Sequence, residues 1–244
     1  MSRVIHSENV EKLVSRQGRL WDLRREMEKQ LLRSGRGKVG ELSFGPYLLI
    51  SRELGAGAIK VGALVGQRLH WPVFDRRIVD EIARTAHVRE QLVETVDEHA
   101  RNVFEDIVRE VLMPRGIGTD SYLYNLRRVV LTLGHQGDVI IIGRCADQIL
   151  PPEFGLRVRL VAPLEERVRR VQEREELTYG AAREMIHSAD REREEFVRRY
   201  FSRDSTDPHN YDLVINTGGK KLETVAEIVM GALQWKLGVA SPAK

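Results

Sequence analysis

The residues with the clearest capacity for chemistry lie between a predicted strand and a predicted helix, in the run Ser51-Arg52-Glu53-Leu54-Gly55-Ala56-Gly57. Glycine lets successive backbone N–H groups converge on an anion, and the start of a helix adds partial positive charge. Gly55 and Gly57 stand where such a cradle needs them. The same run also reads as a tight turn with no ligand.

A phosphate loop of the form G-x-x-x-x-G-K-[ST] tests the first reading. With Gly57 as its second glycine, Arg52 takes the place of the first, Ala58 that of the lysine and Ile59 that of the Mg²⁺-binding hydroxyl. Lys60 lies two residues past the lysine position, and two helix steps turn a side chain by about 200°. It therefore faces away. Arg52 is the basic residue inside the loop: either its guanidinium, alone or paired with Glu53, organises phosphates, or it braces the turn.

Other candidates sit at the ends of predicted strands. Arg144 follows Val139-Ile140-Ile141-Ile142, an unbroken β-branched run typical of a strand buried on both faces. It is either a ligand contact or a surface strand-end arginine. Asp147 orients Arg144 or caps the following helix. Asp75 and Arg76 follow a short strand at Pro72-Val73-Phe74-Asp75. Arg191, Arg193, Arg198, Arg199 and Arg203 form either a ligand-closing set or a solvated face balanced by glutamates. Cys145 reads as a small buried thiol. The histidines show no metal spacing, so no metal site is expected in the protein itself.

The elements that must position these residues follow from periodicity. Residues 8–33 form an amphipathic helix carrying Val10, Leu13, Val14, Leu20, Trp21, Met27 and Leu31, ended by Ser34-Gly35-Arg36-Gly37. Its stripe packs on the domain or on a second copy, so a homo-oligomer through this helix is one expectation. Residues 1–40 are thus an extension, and 41–240 one α/β domain. Strands at 47–50, 72–75, 139–142, 156–161 and 213–215 alternate with helices at 58–69, 164–176, 180–201 and 222–235, the rhythm of a parallel sheet. A helical insertion fills about 76–137, with helices at 78–86, 102–113 and 121–135 broken by Pro114, Gly116 and Gly118. The fold class is three-layer α/β, a parallel sheet flanked by helices.

Composition sets outer limits. With 42% hydrophobic and 31% charged residues the chain of 244 is globular. One cysteine excludes a disulfide framework. No apolar run approaches the roughly 20 residues that span a bilayer, and no secretion signal opens the chain, so no membrane partner and a cytoplasmic location are expected. A charge of +3 and a pI near 9.1 favour anionic partners, but 39 basic residues against 36 acidic ones make the bias small. No nucleic-acid motif or stacking array accompanies it, so nucleic acid is not an expected partner.

Four segments occur in order: Ile50 to Gly57, Phe74-Asp75-Arg76, Ile142-Gly143-Arg144-Cys145-Ala146-Asp147, and Tyr211-Asp212-Leu213-Val214-Ile215-Asn216-Thr217. Together, over about residues 44–240, they resemble the cytidylate-kinase-like family of divergent P-loop nucleoside monophosphate kinases. The resemblance implies a P-loop-kinase-like fold with a lid at about 177–207. It implies nucleotide substrates, with ATP and Mg²⁺ at Ser51, Gly55, Ala56 and Gly57. The acceptor, a pyrimidine nucleoside monophosphate such as CMP, falls to Asp75, Arg76, Arg144 and Asp147. Asp190-Arg191-Glu192-Arg193 resembles the lid segment that closes over the transferring phosphoryl group, which would make Arg52, Arg191 and Arg193 the catalytic set. Without the loop lysine and hydroxyl, a regulatory protein that binds nucleotide without turnover is the alternative.

Overall fold

The structure is a computed structural model, and it describes residues 7–33, 44–96, 98–112 and 121–239. In chain order the elements are α1 (Ser7–Arg33), β1 (Tyr47–Arg52), α2 (Ala58–Leu69), β2 (Val73–Phe74), α3 (Arg76–Arg84), α4 (Ala86–Val93), α5 (Glu98–Leu112), α6 (Ser121–Gln136), β3 (Val139–Ile142), α7 (Ala146–Ile149), β4 (Gly155–Val161), α8 (Leu164–Glu175), α9 (Tyr179–Phe201), β5 (Leu213–Asn216) and α10 (Leu222–Leu237). The expected breaks at 34–37 and 114–118 lie outside the described residues. One helix went unforeseen, the short α4, while α7 is the helix expected after the third strand.

The chain divides into two compact units. One holds the described residues of Pro46–Asp75 and Val139–Lys244, and the other those of Arg3–Gly45 and Arg76–Asp138.

The first unit is a five-stranded, wholly parallel sheet in the order β2-β3-β1-β4-β5. β1 lies at its centre, with Leu48 opposite Ile140 on one side and Leu156 on the other. Apolar residues at every position of Tyr47-Leu48-Leu49-Ile50 suit a strand buried on both faces, and all four are buried. Leu48, Ile50, Ile140, Ile142, Leu156, Val158 and Leu160 form one core with Val61 and Val65 of α2 and Val225, Val229 and Leu233 of α10. α2 comes unusually close to the sheet. A Cβ on Gly66 would stand 2.8 Å from the carbonyl oxygen of Trp71 and from Val73 Cγ2.

In the second unit α1 packs on α3 and α4, and α6 packs on α3, α4 and α5. Val10, Val14 and Trp21, three of the seven residues of the predicted stripe, are buried within the chain, whereas Leu20 of the stripe and its neighbour Leu23 are exposed. Gln136 ties α6 to the end of α4, donating to Thr95 O and Oγ1 at 2.8 Å. No helix among the described residues is long and apolar enough to cross a membrane.

The glycines of α2 and α10 give a paired prediction. Alanine is favoured over glycine in a helix interior by about 1 kcal/mol. Gly231→Ala in α10, with open space around the new methyl, is expected to raise the unfolding free energy by up to about that amount. Gly66→Ala meets backbone oxygen and is expected to lower it by about 1–3 kcal/mol. Urea unfolding of both variants checks the opposite signs.

Candidate functional site

The glycine loop lies at the C-terminal end of the central strand, before the start of α2, where open α/β sheets bind ligands. Gly55 and Gly57 have φ of 87° and 88°, in the left-handed region that glycine occupies without strain. Their missing side chains also leave room. A Cβ on Gly55 would meet the carbonyl oxygen of Arg167 at 2.8 Å, and one on Gly57 would meet Leu222 Cδ2 at 2.7 Å. The first intrahelical bond of α2 runs from Val61 N to Gly57 O, so the N–H groups just before it have no partner within the helix and face the loop's end.

The loop is clamped from α8 by Arg167 and Arg170, which sequence reasoning missed. From α8, Arg170 donates to Gly55 O at 3.3 Å, Thr217 Oγ1 at 2.9 Å and Thr217 O at 3.0 Å. Thr217, fully buried, donates its hydroxyl to Ala56 O at 3.0 Å. Arg167 donates through Nε to Ala162 O at 3.0 Å and through Nη1 to Leu54 O at 3.5 Å. Glu53 directs its carboxylate to the Ala162 N–H at 3.1 Å and to Arg167 Nε at 3.4 Å. Glu53, one of the partners considered for Arg52, is engaged here because α8 brings the Arg167 guanidinium across the strand end. Lys60, as expected, faces away and pairs with Glu223 at 2.8 Å.

Arg52 reaches sideways. A Cβ on Gly143 would stand 1.8 Å from Arg52 Nη1, so the guanidinium lies across the glycine that ends β3. Gly143, Arg144 and Cys145 all have positive φ, at 80°, 55° and 53°. Two non-glycine residues in succession in that region mark a strained turn. It presents Arg144 over the ring of Phe196 in α9, with the guanidinium carbon 5.9 Å from the ring centre. Arg52 and Arg144 are thus brought to neighbouring strand ends.

Ser51 belongs to a different cluster. Its hydroxyl accepts from Arg159 Nη1 at 3.4 Å and stands 3.2 Å from Tyr211 OH, which donates to Ser205 O at 2.8 Å. Asp147, in the first turn of α7, is bound by Gln148 Nε2 at 2.7 Å. Cys145 holds the N-cap position without a side-chain cap bond, so Asp147 does not cap α7. Burial pushes the Asp147 carboxyl above the ordinary aspartate value, against the pull of the Gln148 bond and the Arg159 charge.

Of the lid residues, Arg193 Nη1 pairs with Asp190 Oδ1 at 2.7 Å, and Arg191 is exposed. Asp75 follows β2 directly, while Arg76 opens α3 in the second unit, 4.0 Å from Asp80. Among the described residues no group of three or more His, Cys, Asp or Glu is placed to hold a metal ion.

This geometry can be set beside known proteins. The profile of the cytidylate kinase-like family matches residues 48–219. The chain belongs to the cytidylate kinase-like family. Curated relatives include the cytidylate kinase of Ignicoccus hospitalis, 31% identical over 102 residues, covering 42% of this chain and 59% of that protein. A segment of 92 residues is 36% identical to part of the uronate isomerase of Corynebacterium glutamicum, covering 37% of this chain and 18% of that protein. The chain thus spans less than two thirds of the length of the curated relatives it matches. Among solved structures, an uncharacterized protein from Eubacterium ventriosum superposes with a TM-score of 0.54 at 18% identity, covering 77% of this chain and 98% of that one, a likeness of fold. The shikimate kinase of Bacteroides thetaiotaomicron gives 0.42 at 15% identity, covering 79% and 99%.

Two outcomes follow from the site. Gly143→Ala places a methyl on the Arg52 guanidinium in a left-handed residue, and thermal unfolding is expected to show a loss of about 2–4 kcal/mol. Adding Arg52→Ala removes the clash and recovers part of that loss, leaving the backbone strain. For Asp147, a raised folded-state pKa means that folding favours the protonated form. Its contribution is complete below the unfolded value, near 3.8, and is lost as pH rises through the folded value. Asp147→Asn is therefore expected to stabilise the ligand-free protein at pH 7, with the gain shrinking towards pH 3.8 in a series of denaturant titrations.

Proposed function

We propose that the chain is a nucleoside monophosphate kinase-like phosphotransferase, with ATP as donor and a pyrimidine nucleoside monophosphate such as CMP as acceptor. The observation that carries this reading is the glycine loop at the end of the central strand. Its glycines hold the left-handed turn that leads into α2, whose first N–H groups have no partner within the helix, and its surroundings are rich in guanidinium. Family membership supports the same reaction class.

In this reading the donor phosphates lie on Ser51 to Gly57 and the start of α2, held mainly by backbone N–H groups. Mg²⁺ would arrive on those phosphates, since Ile59 replaces the loop hydroxyl, and there it would neutralise their charge. Arg144 would hold the acceptor phosphate, with Asp75 and Asp147 on the acceptor side. Arg52, which lies against Gly143 beside Arg144, would in this reading bridge donor and acceptor ends. Arg191 and Arg193 would come from the lid. The protein's task in such a transfer is alignment, neutralisation of developing charge and exclusion of water.

One observation favours a second reading, nucleotide binding without turnover. The lysine position is Ala58, and Lys60 is engaged with Glu223. Losing a charged contact to the transferring group costs several kcal/mol of transition-state stabilisation.

The deciding experiment incubates the protein with ATP, Mg²⁺ and a panel of nucleoside monophosphates and follows ADP. Formation of ADP that depends on one pyrimidine monophosphate is the expected result. Binding of ATP, seen as a rise in melting temperature, with no ADP for any acceptor would favour the second reading. Arg144→Ala is expected to weaken monophosphate binding by about 1.5–3 kcal/mol while leaving ATP binding nearly unchanged. Equal loss for both ligands in calorimetry would remove Arg144 from the acceptor side.

A further inference from the structure

The carboxylate of Asp190, in the middle of α9, is held in the way a bound anion is held. Its Oδ1 accepts the Leu54 N–H of the glycine loop at 2.9 Å and Arg193 Nη1 at 2.7 Å. Its Oδ2 accepts Arg167 Nη1. One loop amide and two guanidinium groups from different helices thus converge on a single pair of oxygens. Backbone N–H and arginine are the donors that recognise phosphate oxygens.

The receptor is built more firmly than its occupant. Arg167 is fixed through Nε to Ala162 O at 3.0 Å and lies 3.4 Å from Glu53, and its side chain is only 11% exposed. Its backbone touches the loop so closely that Gly55 has no room for a Cβ. Glu53 is bound in turn to the Ala162 N–H, which makes it a permanent part of the frame. Asp190 belongs instead to a separate helix. That helix meets α8 through a small apolar cluster of Val168, Val171, Ala182 and Ile186. Of the two carboxylates on Arg167, Asp190 is the one that can leave without breaking the loop.

We propose that the Leu54 N–H, Arg167 and Arg193 form the receptor for the donor's terminal phosphoryl group. Arg167 supplies the positive charge for which the loop has no lysine, and Asp190 fills the receptor as an internal anion until the donor displaces it. This rests on the nucleotide-binding reading above. Two consequences follow from the exchange. Donor binding is weakened by competition with Asp190, and displacement of Asp190 exchanges its direct bond to the Leu54 N–H for a link through the donor to Arg193, so that loading the donor and resetting the lid helix against the loop become one event. A terminal phosphoryl group has more oxygens and more charge than the carboxylate it replaces, so the triphosphate gains most from an empty receptor.

The test is calorimetric titration of the full chain with ATP and with ADP, each with Mg²⁺, in wild type, Asp190→Asn and Arg167→Gln. Asp190→Asn leaves two guanidinium groups without their counter-charge, so the ligand-free melting temperature falls. Its affinity for ATP is nevertheless expected to rise, by roughly tenfold, and for ADP by less. Arg167→Gln is expected to lower ATP affinity by roughly tenfold or more. A brace with no ligand role predicts otherwise, with ATP affinity of Asp190→Asn unchanged or falling along with stability. That result overturns the inference while leaving nucleotide binding by the wild type intact. If neither wild type nor Asp190→Asn binds any nucleotide, the inference and the nucleotide reading fall together. Should Asp190→Asn not fold, Arg167→Gln and Arg193→Gln interrogate the same receptor. Each must weaken ATP more than ADP, and equal ATP affinity to wild type in both would refute it.

Discussion

A glycine loop makes few bonds of its own, and its shape here is imposed by α8. Within the loop there is one short turn, Ala56 N to Glu53 O at 3.2 Å. Most of what fixes it comes from Arg167 and Arg170, directly or through Thr217 and Glu53, with Asp190 holding the Leu54 N–H. Both guanidinium groups are largely withdrawn from water, and a withdrawn charge is tolerable only when its hydrogen bonds are met. That requirement locks α8, the strand end at Ala162 and the segment after β5 into one geometry around the loop. The positions of Gly55 and Gly57 follow from it, because α8 and Leu222 occupy the volume their side chains would need.

The sheet was legible in the sequence because its signal is local. Runs such as Val139 to Ile142 can be satisfied only by burial on both faces, and the alternation of such runs with amphipathic helices leaves little choice of architecture. Helix α4 was not legible: Ala86–Val93 is short, and its apolar positions are too few to fix a period. The arginine clamp was hidden for another reason. Glu165-Glu166-Arg167-Val168-Arg169-Arg170 reads as a solvated, charge-balanced face, and Arg169 does behave so, pairing with Glu166 and Glu173 at the surface. Arg167 and Arg170, however, each directly precede a buried valine, Val168 and Val171. They flank the apolar stripe instead of opposing it. That offset was the available signal, and only the long-range contact gives it meaning.

Arg52 shows the limit of motif alignment. Its position in the loop suggested a stand-in for lysine, yet a strand end directs successive side chains to opposite faces. Ser51 turns towards Tyr211 and Arg159, while Arg52 crosses to Gly143. The strained turn at Gly143, Arg144 and Cys145 makes room for that crossing, and this explains why a glycine is required immediately after β3. What looked like two independent features, an arginine in the donor loop and a Gly-Arg pair at another strand end, is one packing arrangement.

The balance of charge at this edge of the sheet gives the site its preference. Arg157, on β4, is neutralised by Asp212 through a bidentate pair. Arg159, two residues further towards the C-terminal edge, is buried, and among the described residues its hydrogen bonds go only to the hydroxyls of Ser51 and Tyr211. Asp147 lies close enough for Arg159 to lower its pKa, yet burial outweighs that pull and favours its neutral form. Arg157 is thus paired directly, whereas the carboxylates of Asp147 and Asp204 act on Arg159 only through their charge. A buried cation without a matching anion raises the free energy of the ligand-free protein, and a ligand that carries negative charge recovers it. In the proposed reading a donor's phosphates supply that charge, and at the glycine loop the chain supplies it itself, through Glu53 and the Asp190 carboxylate of α9 on Arg167.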